Sequence, residues 1–204
     1  MADDSFQRFQ NFLEKIQKDT YPEPPSPLHT EITKRMVNHL FEKYVIPKGA
    51  CTLDIGCGQG VALKIFAARE LQPVGITLNE ADLTACREKG FEVACMDQSF
   101  LDFPDGHFDL VWCRHCLEHS IMPYFTLSEI YRVMKPSAHL YIEVPAPETI
   151  CRHQANLNHY SVLGKEMWLE LIRRTGFTIH EVMDVNFEVN AGPDQYWVMI
   201  EQKP

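Results

Sequence analysis

The chain has 204 residues, of which 45% are hydrophobic and 23% are charged, and its formal net charge is −9. This composition is typical of one compact globular domain with a buried core. The negative charge argues against a protein held on duplex nucleic acid by phosphate contacts, although it leaves room for a local basic patch. Seven cysteines without regular spacing indicate a reducing compartment. Because the sequence shows neither an apolar leader nor a membrane-length apolar stretch, we expect a cytoplasmic protein with no membrane partner.

The N-terminal part of the chain carries two helical patterns separated by prolines. Apolar residues recur at spacings of three and four in a first stripe, Phe6, Phe9, Leu13 and Ile16, and in a second stripe, Ile32, Met36, Leu40 and Tyr44. This spacing predicts two amphipathic helices. Four prolines between residues 22 and 27 predict a stiff extended connector, and Pro47 follows the second helix. We therefore expect residues 1–47 to form a helical extension of a main domain at residues 48–204.

From residue 49 onward, predicted strands alternate with predicted helices. The strands are expected at residues 51–55, 74–77, 91–96, 108–113, 139–144, 177–187 and 195–202. The helices are expected at residues 61–70, 80–89, 117–134 with a break near Pro123, and 163–175. Such alternation produces right-handed crossovers and a parallel sheet. The last two strands are joined by a turn too short for a helix, so we expect an α/β fold, a doubly wound and mostly parallel seven-stranded sheet that ends in an antiparallel hairpin.

A glycine-rich loop follows the first predicted strand. Residues 52–60 read TLDIGCGQG, with glycines at alternate positions. Open α/β sheets bind ligands at the carboxyl ends of their strands, where glycine lets a ligand approach the backbone. The dinucleotide pattern G-x-G-x-x-G is not matched, because Val61 follows the third glycine, and Asp54 suits an ammonium group better than a pyrophosphate. The loop favours a zwitterionic adenosyl ligand over a tight turn that binds nothing.

Several further segments, in chain order, resemble motifs of one enzyme family. Residues 103–111 read FPDGHFDLV, residues 117–119 read LEH and residues 132–136 read RVMKP. Together with the D-x-G-x-G-x-G loop and the terminal hairpin, they resemble the class I S-adenosylmethionine-dependent methyltransferases, and more narrowly the methyltransferase type 11 group. The resemblance covers residues 49–202. It implies a Rossmann-like fold, S-adenosylmethionine as cofactor, S-adenosylhomocysteine as product, and a lid over the cofactor formed by residues 1–47.

The resemblance implies cofactor-binding roles residue by residue. The loop residues that frame the methionine part of the cofactor are Asp54, Gly56, Cys57, Gly58 and Gly60. Asp97, after the third strand, matches the acid that binds the adenine amino group, and Gln98 lies beside it. Cys113 and Arg114 end the fourth strand and match the position that faces the methionine end.

The ribose-binding position departs from the family pattern. The second strand of the family ends in an acid that holds both ribose hydroxyls, whereas this chain has Thr77, Leu78 and Asn79 there. The triplet is similar to a variant found in cyclopropane fatty acid synthase-like methyltransferases, in which ribose contacts lie further downstream. Asn79, Glu80 and Asp82 are therefore all open as ribose ligands.

Histidines and a glutamate cluster after the fourth strand. Residues 115–119 read HCLEH and match the H-x-x-E-H pattern of zinc proteases, but their position at a strand end argues against a hydrolase. The ubiquinone-pathway O-methyltransferases have a similar E-x-x-E-H at this place, implicated in divalent metal binding. A metal at His115, Glu118 and His119 thus stays open beside a capping and packing role, and our expectation is that the chain binds no metal.

Cys113 and Cys116 form a C-x-x-C pair. Redox pairs of this kind open a helix in a different fold, and a zinc site would need two more ligands, for which Cys151 and His153 are the available candidates. Buried, inert thiols are the expected outcome.

The predicted catalytic residues are histidines. Methyl transfer to a hydroxyl gains from a general base, and histidine titrates near neutral pH. Residues 158–161 read NHYS and resemble a region of relatives that methylate sugars and small metabolites. His159 is therefore the first candidate base, and His153 and His119 are the second. Each has packing or helix capping as its alternative role.

The predicted function is S-adenosylmethionine-dependent methyl transfer to a small molecule or saccharide, at oxygen. Two alternatives stay open: a protein that binds the cofactor without transferring its methyl group, and a methyltransferase that acts on RNA or protein. The charge of −9 argues against nucleic acid, as does the sequence CRHC at residues 113–116, where a base-methylating motif would stand. The sequence predicts neither the acceptor nor the oligomeric state.

Overall fold

A computed structural model of the chain describes residues 2–18 and 20–204. Its strands are β1 Cys51–Ile55, β2 Gln72–Thr77, β3 Glu92–Cys95, β4 Phe108–Arg114, β5 Met134–Pro145, β6 Thr178–Val189 and β7 Gly192–Gln202. Its α-helices are α1 Ala2–Gln17, α2 Pro27–Lys43, α3 Val61–Ala68, α4 Glu80–Glu88, α5 Pro123–Val133 and α6 Lys165–Thr175. Two short 3-10 turns lie at Leu117–His119 and His153–Ala155.

The strands form one seven-stranded sheet in the order β3-β2-β1-β4-β5-β7-β6. The pairs from β3 to β5 are parallel, and β7 runs antiparallel to both β5 and β6. The predicted α/β, doubly wound sheet with a terminal antiparallel hairpin is therefore confirmed. Because the chain leaves β1 toward β2 on one side and returns to β4 on the other, the carboxyl end of β1 is a topological switch point, where such sheets bind ligands.

Alternate residues of the strands point into two different hydrophobic layers. Leu110 and Trp112 of β4 pack with α2 and α3, and the Trp112 ring stacks on Tyr141 at 3.8 Å between centroids. Val111 and Cys113 point to the opposite layer, which α5 and α6 cover. This period of two follows from the pleat of the strand. It directs the Cys113 side chain into the core.

The two N-terminal helices differ in packing. Four apolar side chains of α2 are buried in the same cluster as the sheet: Ile32, Met36, Val37 and Leu40. In contrast, α1 leaves Phe6 and Phe12 exposed. The division of the chain into a lid at residues 1–47 and a main domain at 48–204 stays a prediction. Within residues 2–18 and 20–204, no helix has the length and apolarity that crossing a bilayer requires.

Two cases illustrate how the observed element boundaries compare with the predicted ones. The helix expected over residues 117–134 has its expected break near Pro123: a 3-10 turn at Leu117–His119 comes first, and α5 starts at Pro123, where the missing proline N–H costs no helical hydrogen bond. The strand expected at 139–144 begins earlier, because Met134 already pairs with Phe108 and β5 continues to Pro145.

Candidate active site

Two adjoining cavities open at the carboxyl ends of the central strands. The first, called the Asp97 cavity, is lined among others by Gln17, Thr77, Leu78, Asn79, Asp82, Asp97, Gln98, His119 and Tyr160. The second, called the Asp54 cavity, is lined among others by His29, Asp54, Cys57, Gln59 and Arg114. Glu23, Gly56, Gly58 and His115 line both. The predicted cofactor residues thus surround one continuous region, except Gly60 and Cys113, which line neither cavity.

The glycine loop is held by the neighbouring strand and leaves no room for larger residues. The backbone N–H groups of Gly56 and Cys57 both donate to the Ile76 carbonyl at 3.0 Å. Gly56 has φ +70°, and a Cβ there would lie 2.8 Å from the Cys116 sulfur. Gly60 has φ +83°, and a Cβ on it would meet the Phe91 ring at 3.0 Å. Gly56 lines both cavities, and a side chain at this position would not fit.

Asp54 presents a buried carboxyl group to the Asp54 cavity. Burial raises its pKa well above the usual value, and the positive charge of Arg114 counteracts this rise in part. A buried carboxyl in this state becomes more acidic when a cation approaches. The Asp54 cavity therefore combines an acid that gains from a positive partner with the guanidinium of Arg114, as a zwitterionic ligand requires.

Arg114 and His115 are both turned toward Glu143 at the base of the Asp54 cavity. The Glu143 Oε1 atom lies 2.8 Å from Arg114 Nε and 2.8 Å from His115 Nε2. Tyr141 donates its hydroxyl to Glu143 Oε2 at 2.6 Å. Burial and the Arg114 charge lower the pKa of His115 to about 3. His115 thus contacts Glu143 and is not part of the group of ligating atoms formed by Glu118 and His119, although the sequence had left such a role open.

Polar groups of the Asp97 cavity are engaged by the N-terminal segment. Asp97 Oδ2 accepts from Gln17 Nε2 at 2.9 Å, and Asp97 Oδ1 accepts from the Ser99 N–H at 2.8 Å. Gln98 Nε2 donates to the Cys116 carbonyl at 2.8 Å, and its Oε1 atom is buried without a hydrogen-bond partner among the described residues. At this place the cavity is lined by the Asp97 carboxylate and the Gln98 amide, which suit a ligand that donates hydrogen bonds.

The three candidate ribose ligands, Asn79, Glu80 and Asp82, have different surroundings in the structure. Asn79 caps α4, since its Oδ1 atom accepts from the Ala81 N–H at 3.0 Å and from the Asp82 N–H at 3.2 Å. Asp82 is buried and lines the Asp97 cavity, whereas Glu80 is exposed and does not. Asp82, three positions beyond the predicted triplet, is thus the acid among the ribose candidates that lines the cavity.

The three candidate histidines form a row leading away from the Asp97 cavity. His119 lines the cavity, the His159 ring meets it edge-on at 4.7 Å, and the His153 ring stacks on His159 at 6.0 Å. His119 Nδ1 donates to the Asn158 carbonyl at 2.9 Å. A neutral imidazole that donates from Nδ1 carries its lone pair on Nε2. Burial lowers the pKa of His119, which favours this neutral form.

His159 and His153 have other surroundings. Burial and the neighbouring His119 and His153 lower the pKa of His159 to about 4, and its Nδ1 atom is buried without a partner in the described part of the chain. His153 Nε2 lies 3.0 Å from Asp194 Oδ2. Neither histidine is among the residues that line the two cavities, so their roles as base stay predictions.

A group suited to a divalent cation lies beside the Asp97 cavity. The ligand atoms of Glu118, His119 and His159 lie within 4.8 Å of one another. Glu118 Oε2 and His159 Nδ1 are both buried without a partner among the described residues, and burial raises the pKa of Glu118 to about 8. Two imidazoles and a carboxylate are a common set for transition metals. The residues therefore fit a cation, with His159 in the place that the sequence pattern gave to His115.

Glu23 is the main site residue that the sequence did not indicate. Its backbone N–H donates to both carboxylate oxygens of Asp82, at 3.0 and 3.2 Å, and its carbonyl would lie 3.3 Å from a Cβ on Gly58. Burial and the charge of Asp82 raise the pKa of its carboxyl group. The only signal for this placement was the stiffness of the proline-rich connector.

Comparison with known proteins identifies similar domains. A family model described as a methyltransferase domain matches residues 53–142. Ubiquinone biosynthesis O-methyltransferases are similar in sequence: that of Hahella chejuensis is 30% identical over 155 residues, and that of Pseudomonas aeruginosa is 32% identical over 157 residues. Each alignment covers 72% of this chain, and the chain spans 62% and 63% of the length of these relatives, respectively.

A further relative and two solved structures are similar to this chain. The 27-O-demethylrifamycin SV methyltransferase of Amycolatopsis mediterranei is 26% identical over 130 residues, which is 57% of this chain and 48% of that protein. The structure of the [4+2]-cyclase SpnF superposes with a TM-score of 0.69 at 23% identity, covering 83% of this chain and 80% of the cyclase. An S-adenosylmethionine-dependent methyltransferase from Archaeoglobus fulgidus superposes with a TM-score of 0.68 at 22% identity, covering 85% and 94% of the two chains. At these identities the two structures establish the fold alone.

Proposed function

We propose that this chain is a class I S-adenosylmethionine-dependent methyltransferase and that it methylates a hydroxyl oxygen of a small molecule. The match to a methyltransferase domain over residues 53–142 and the 32% identity to the O-methyltransferase of Pseudomonas aeruginosa support the proposal. The relatives from Hahella chejuensis and Pseudomonas aeruginosa are O-methyltransferases by name. S-adenosylmethionine, when bound, supplies a methyl group on a positively charged sulfur. The residues of this chain then have to bind the cofactor, align the acceptor and accept one proton.

In the proposed binding mode, each of the two cavities holds a different part of the cofactor. Asp97 receives the adenine amino group, and Asp82 receives the ribose hydroxyls in the Asp97 cavity. Asp54 accepts from the ammonium group, and Arg114 donates to the carboxylate in the Asp54 cavity. Gly56 and Gly58 line both cavities, so the proposed cofactor extends across the glycine loop. Helix α1 contributes Leu13, Ile16 and Gln17 to the lining, which supports a covering role for it.

Our proposal that the acceptor atom is oxygen rests on the geometry of His119. Its Nδ1–H is held by the Asn158 carbonyl, so Nε2 is the basic atom of a residue that lines the Asp97 cavity. We propose that His119 Nε2 takes the acceptor hydroxyl proton as the methyl group is transferred. A positioned general base contributes about 10²–10⁴-fold to such a reaction.

The Glu118, His119 and His159 group offers a second way to activate the same hydroxyl. A divalent cation held by these three side chains would lower the pKa of a hydroxyl bound to it. The atoms that support this version are Glu118 Oε2 and His159 Nδ1, which are buried without a hydrogen-bond partner within residues 2–18 and 20–204. In both versions His119 takes part in activating the acceptor hydroxyl.

A methyl-transfer assay tests the proposal. The protein is incubated with methyl-labelled S-adenosylmethionine and a panel of phenols, aliphatic alcohols and saccharides, and labelled product and S-adenosylhomocysteine are measured. We expect turnover with at least one hydroxylated acceptor, and a loss of about 10²-fold or more in His119→Gln. The exposed His107→Gln serves as the matched control and should keep its activity. Cofactor binding without turnover across the panel would favour the alternative of a non-catalytic binding protein.

A chelator separates the two versions of the mechanism. If His119 acts as base without a metal, treatment with a strong chelator leaves turnover unchanged. If the cation is required, chelation abolishes turnover and a divalent metal restores it. A saccharide acceptor and a cytoplasmic location remain finer parts of the proposal, and the acceptor panel addresses the first of them.

A further inference from the structure

A second cluster of metal-ligating side chains lies behind the row of histidines, between the segment that follows β5 and the start of β7. The ligand atoms of Cys151, His153 and Asp194 all lie within 4.8 Å of one another. We propose that these three side chains form a Zn²⁺ site that fastens the segment after β5 to the terminal hairpin. The proposal is independent of methyl transfer.

The carboxylate of Asp194 is the centre of this cluster. Asp194 is buried, with a side-chain exposure of 1%. His153 Nε2 lies 3.1 Å from Asp194 Oδ1 and 3.0 Å from Asp194 Oδ2, and the Gln195 N–H donates to Oδ1 at 2.9 Å. The Cys151 thiol also hydrogen-bonds this carboxylate. All three side chains therefore point at one spot from two different parts of the chain.

The arrangement is unsuited to a nucleophilic cysteine. An activated thiol is paired with an imidazole or another positive group that lowers its pKa. Here the thiol faces the Asp194 carboxylate, and burial together with that carboxylate raises the pKa of Cys151. The negative group that disfavours a free thiolate favours a cation between the two, so the same geometry argues for metal binding.

The three ligand atoms indicate which metal the site prefers. A thiolate sulfur, an imidazole nitrogen and a carboxylate oxygen are ligands that Zn²⁺ accepts together in tetrahedral sites, and a fourth position remains for water. Binding transfers the thiol proton to solvent and leaves a zinc–sulfur bond. It also requires His153 to present the Nε2 lone pair, with its proton on Nδ1. The Asp194 carboxylate binds as it stands.

The metal would stabilise a segment whose backbone conformation is otherwise unfavourable. Glu148 and Arg152, on either side of Cys151, both have left-handed backbones, with φ of +63° and +51°. Such a conformation is disfavoured for residues other than glycine. The segment also meets β7 through the Ala146 N–H, which donates to the Gln195 carbonyl at 3.0 Å. Further along, it supplies Asn158 and Tyr160 to the Asp97 cavity.

Titration of the metal-free protein with Co²⁺ tests the site, because cobalt bound to a thiolate gives a charge-transfer absorption that imidazole and carboxylate ligands alone do not give. We expect one equivalent of Co²⁺ to produce this band and Zn²⁺ to displace it. The band should be absent in Cys151→Ser, and Asp194→Asn should weaken cobalt binding about 10-fold or more. Cys95→Ser, at an exposed cysteine on β3, is the matched control and should keep the band.

Glu118→Gln separates this site from the Glu118, His119 and His159 group, which contains no sulfur, and it should leave the thiolate band intact. The proposal is overturned if the wild-type protein shows no thiolate band with cobalt, or if the band persists in Cys151→Ser. Asp194→Asn gives an independent result: cobalt affinity equal to the wild type there would also overturn it.

Discussion

Glu143 shows how single residues set the charge state of the site. Burial alone would raise its pKa, but Arg114 beside it and hydrogen bonds from His115 and Tyr141 lower the pKa to about 2. The carboxylate in turn holds the Arg114 and His115 side chains at the floor of the Asp54 cavity. A buried acid with three partners stays acidic, whereas burial raises the pKa of Asp54 and of Glu118.

His115 should make folding stability depend on pH. Its pKa is about 3 in the folded protein, against 6.5 for an ordinary histidine. Between these values the unfolded chain binds the extra proton, so stability is present near pH 7 and is lost as the pH falls below about 6.5. From pH 7 to pH 5 the loss from this residue is about 2 kcal/mol.

Urea unfolding of the wild type and His115→Gln at both pH values measures this contribution. Other buried groups titrate in both proteins, so the difference between the two pH dependences belongs to His115. The glutamine variant should lose about 2 kcal/mol less than the wild type on acidification. Equal losses in the two proteins would show that the imidazole is not held neutral by the fold.

Gly56 should tolerate no side chain, whereas Gly90 should tolerate alanine at moderate cost. Both have left-handed backbones, but a Cβ on Gly56 would lie 2.8 Å from Cys116 Sγ and one on Gly90 would meet nothing within 4 Å. We expect Gly90→Ala to lose about 1 kcal/mol of unfolding free energy from the backbone alone. Gly56→Ala should lose about 3 kcal/mol, because the close contact adds to it. Denaturant unfolding gives both values, and similar losses would refute the close contact.

At the scale of elements, α1 and α2 have different roles although both read as amphipathic helices. Helix α2 buries Val37 and Leu40 completely against the sheet, whereas α1 lies over the Asp97 cavity with Phe6 and Phe12 exposed. The hydrophobic period locates both helices in the sequence, but it is the same for a core helix and a peripheral one. Which layer each stripe meets depends on tertiary packing.

Leu40→Ala should destabilise the protein far more than Phe12→Ala. Removing a fully buried leucine leaves a cavity and costs about 2–5 kcal/mol. Truncating the exposed Phe12 should change the unfolding free energy by about 0.5 kcal/mol or less. Thermal or urea unfolding of the two variants measures the difference. A large loss for Phe12→Ala would mean that α1 is part of the folded core.

The sequence predicted the sheet well and its surroundings less well. Alternation of strands and helices and the short terminal turn were sufficient to predict a mostly parallel seven-stranded sheet that ends in an antiparallel hairpin. The early start of β5 at Met134 was missed, because a lysine and a proline follow it and conceal the strand pattern.

At the scale of the whole molecule, the site depends on contacts between distant segments. Glu23 and Asp82 are 59 positions apart, and Gln17 and Asp97 are 80 apart. Such pairs carry no local signal, so the sequence could indicate Asp97 through its motif but not the partners that reach it. The same holds for the histidines, since motif position favoured His159 and the folded loop brings His119 to the cavity.

Calorimetric titration with S-adenosylhomocysteine tests the central claim most directly. We expect one binding site per chain in the wild type, and a loss of affinity of about 10–100-fold in Asp97→Asn, because a hydrogen bond to a charged group is removed. Asp102→Asn, at an exposed position outside both cavities, should bind as the wild type does. Absence of binding by the wild-type protein, or full affinity in Asp97→Asn, would contradict the assignment of these cavities to the cofactor.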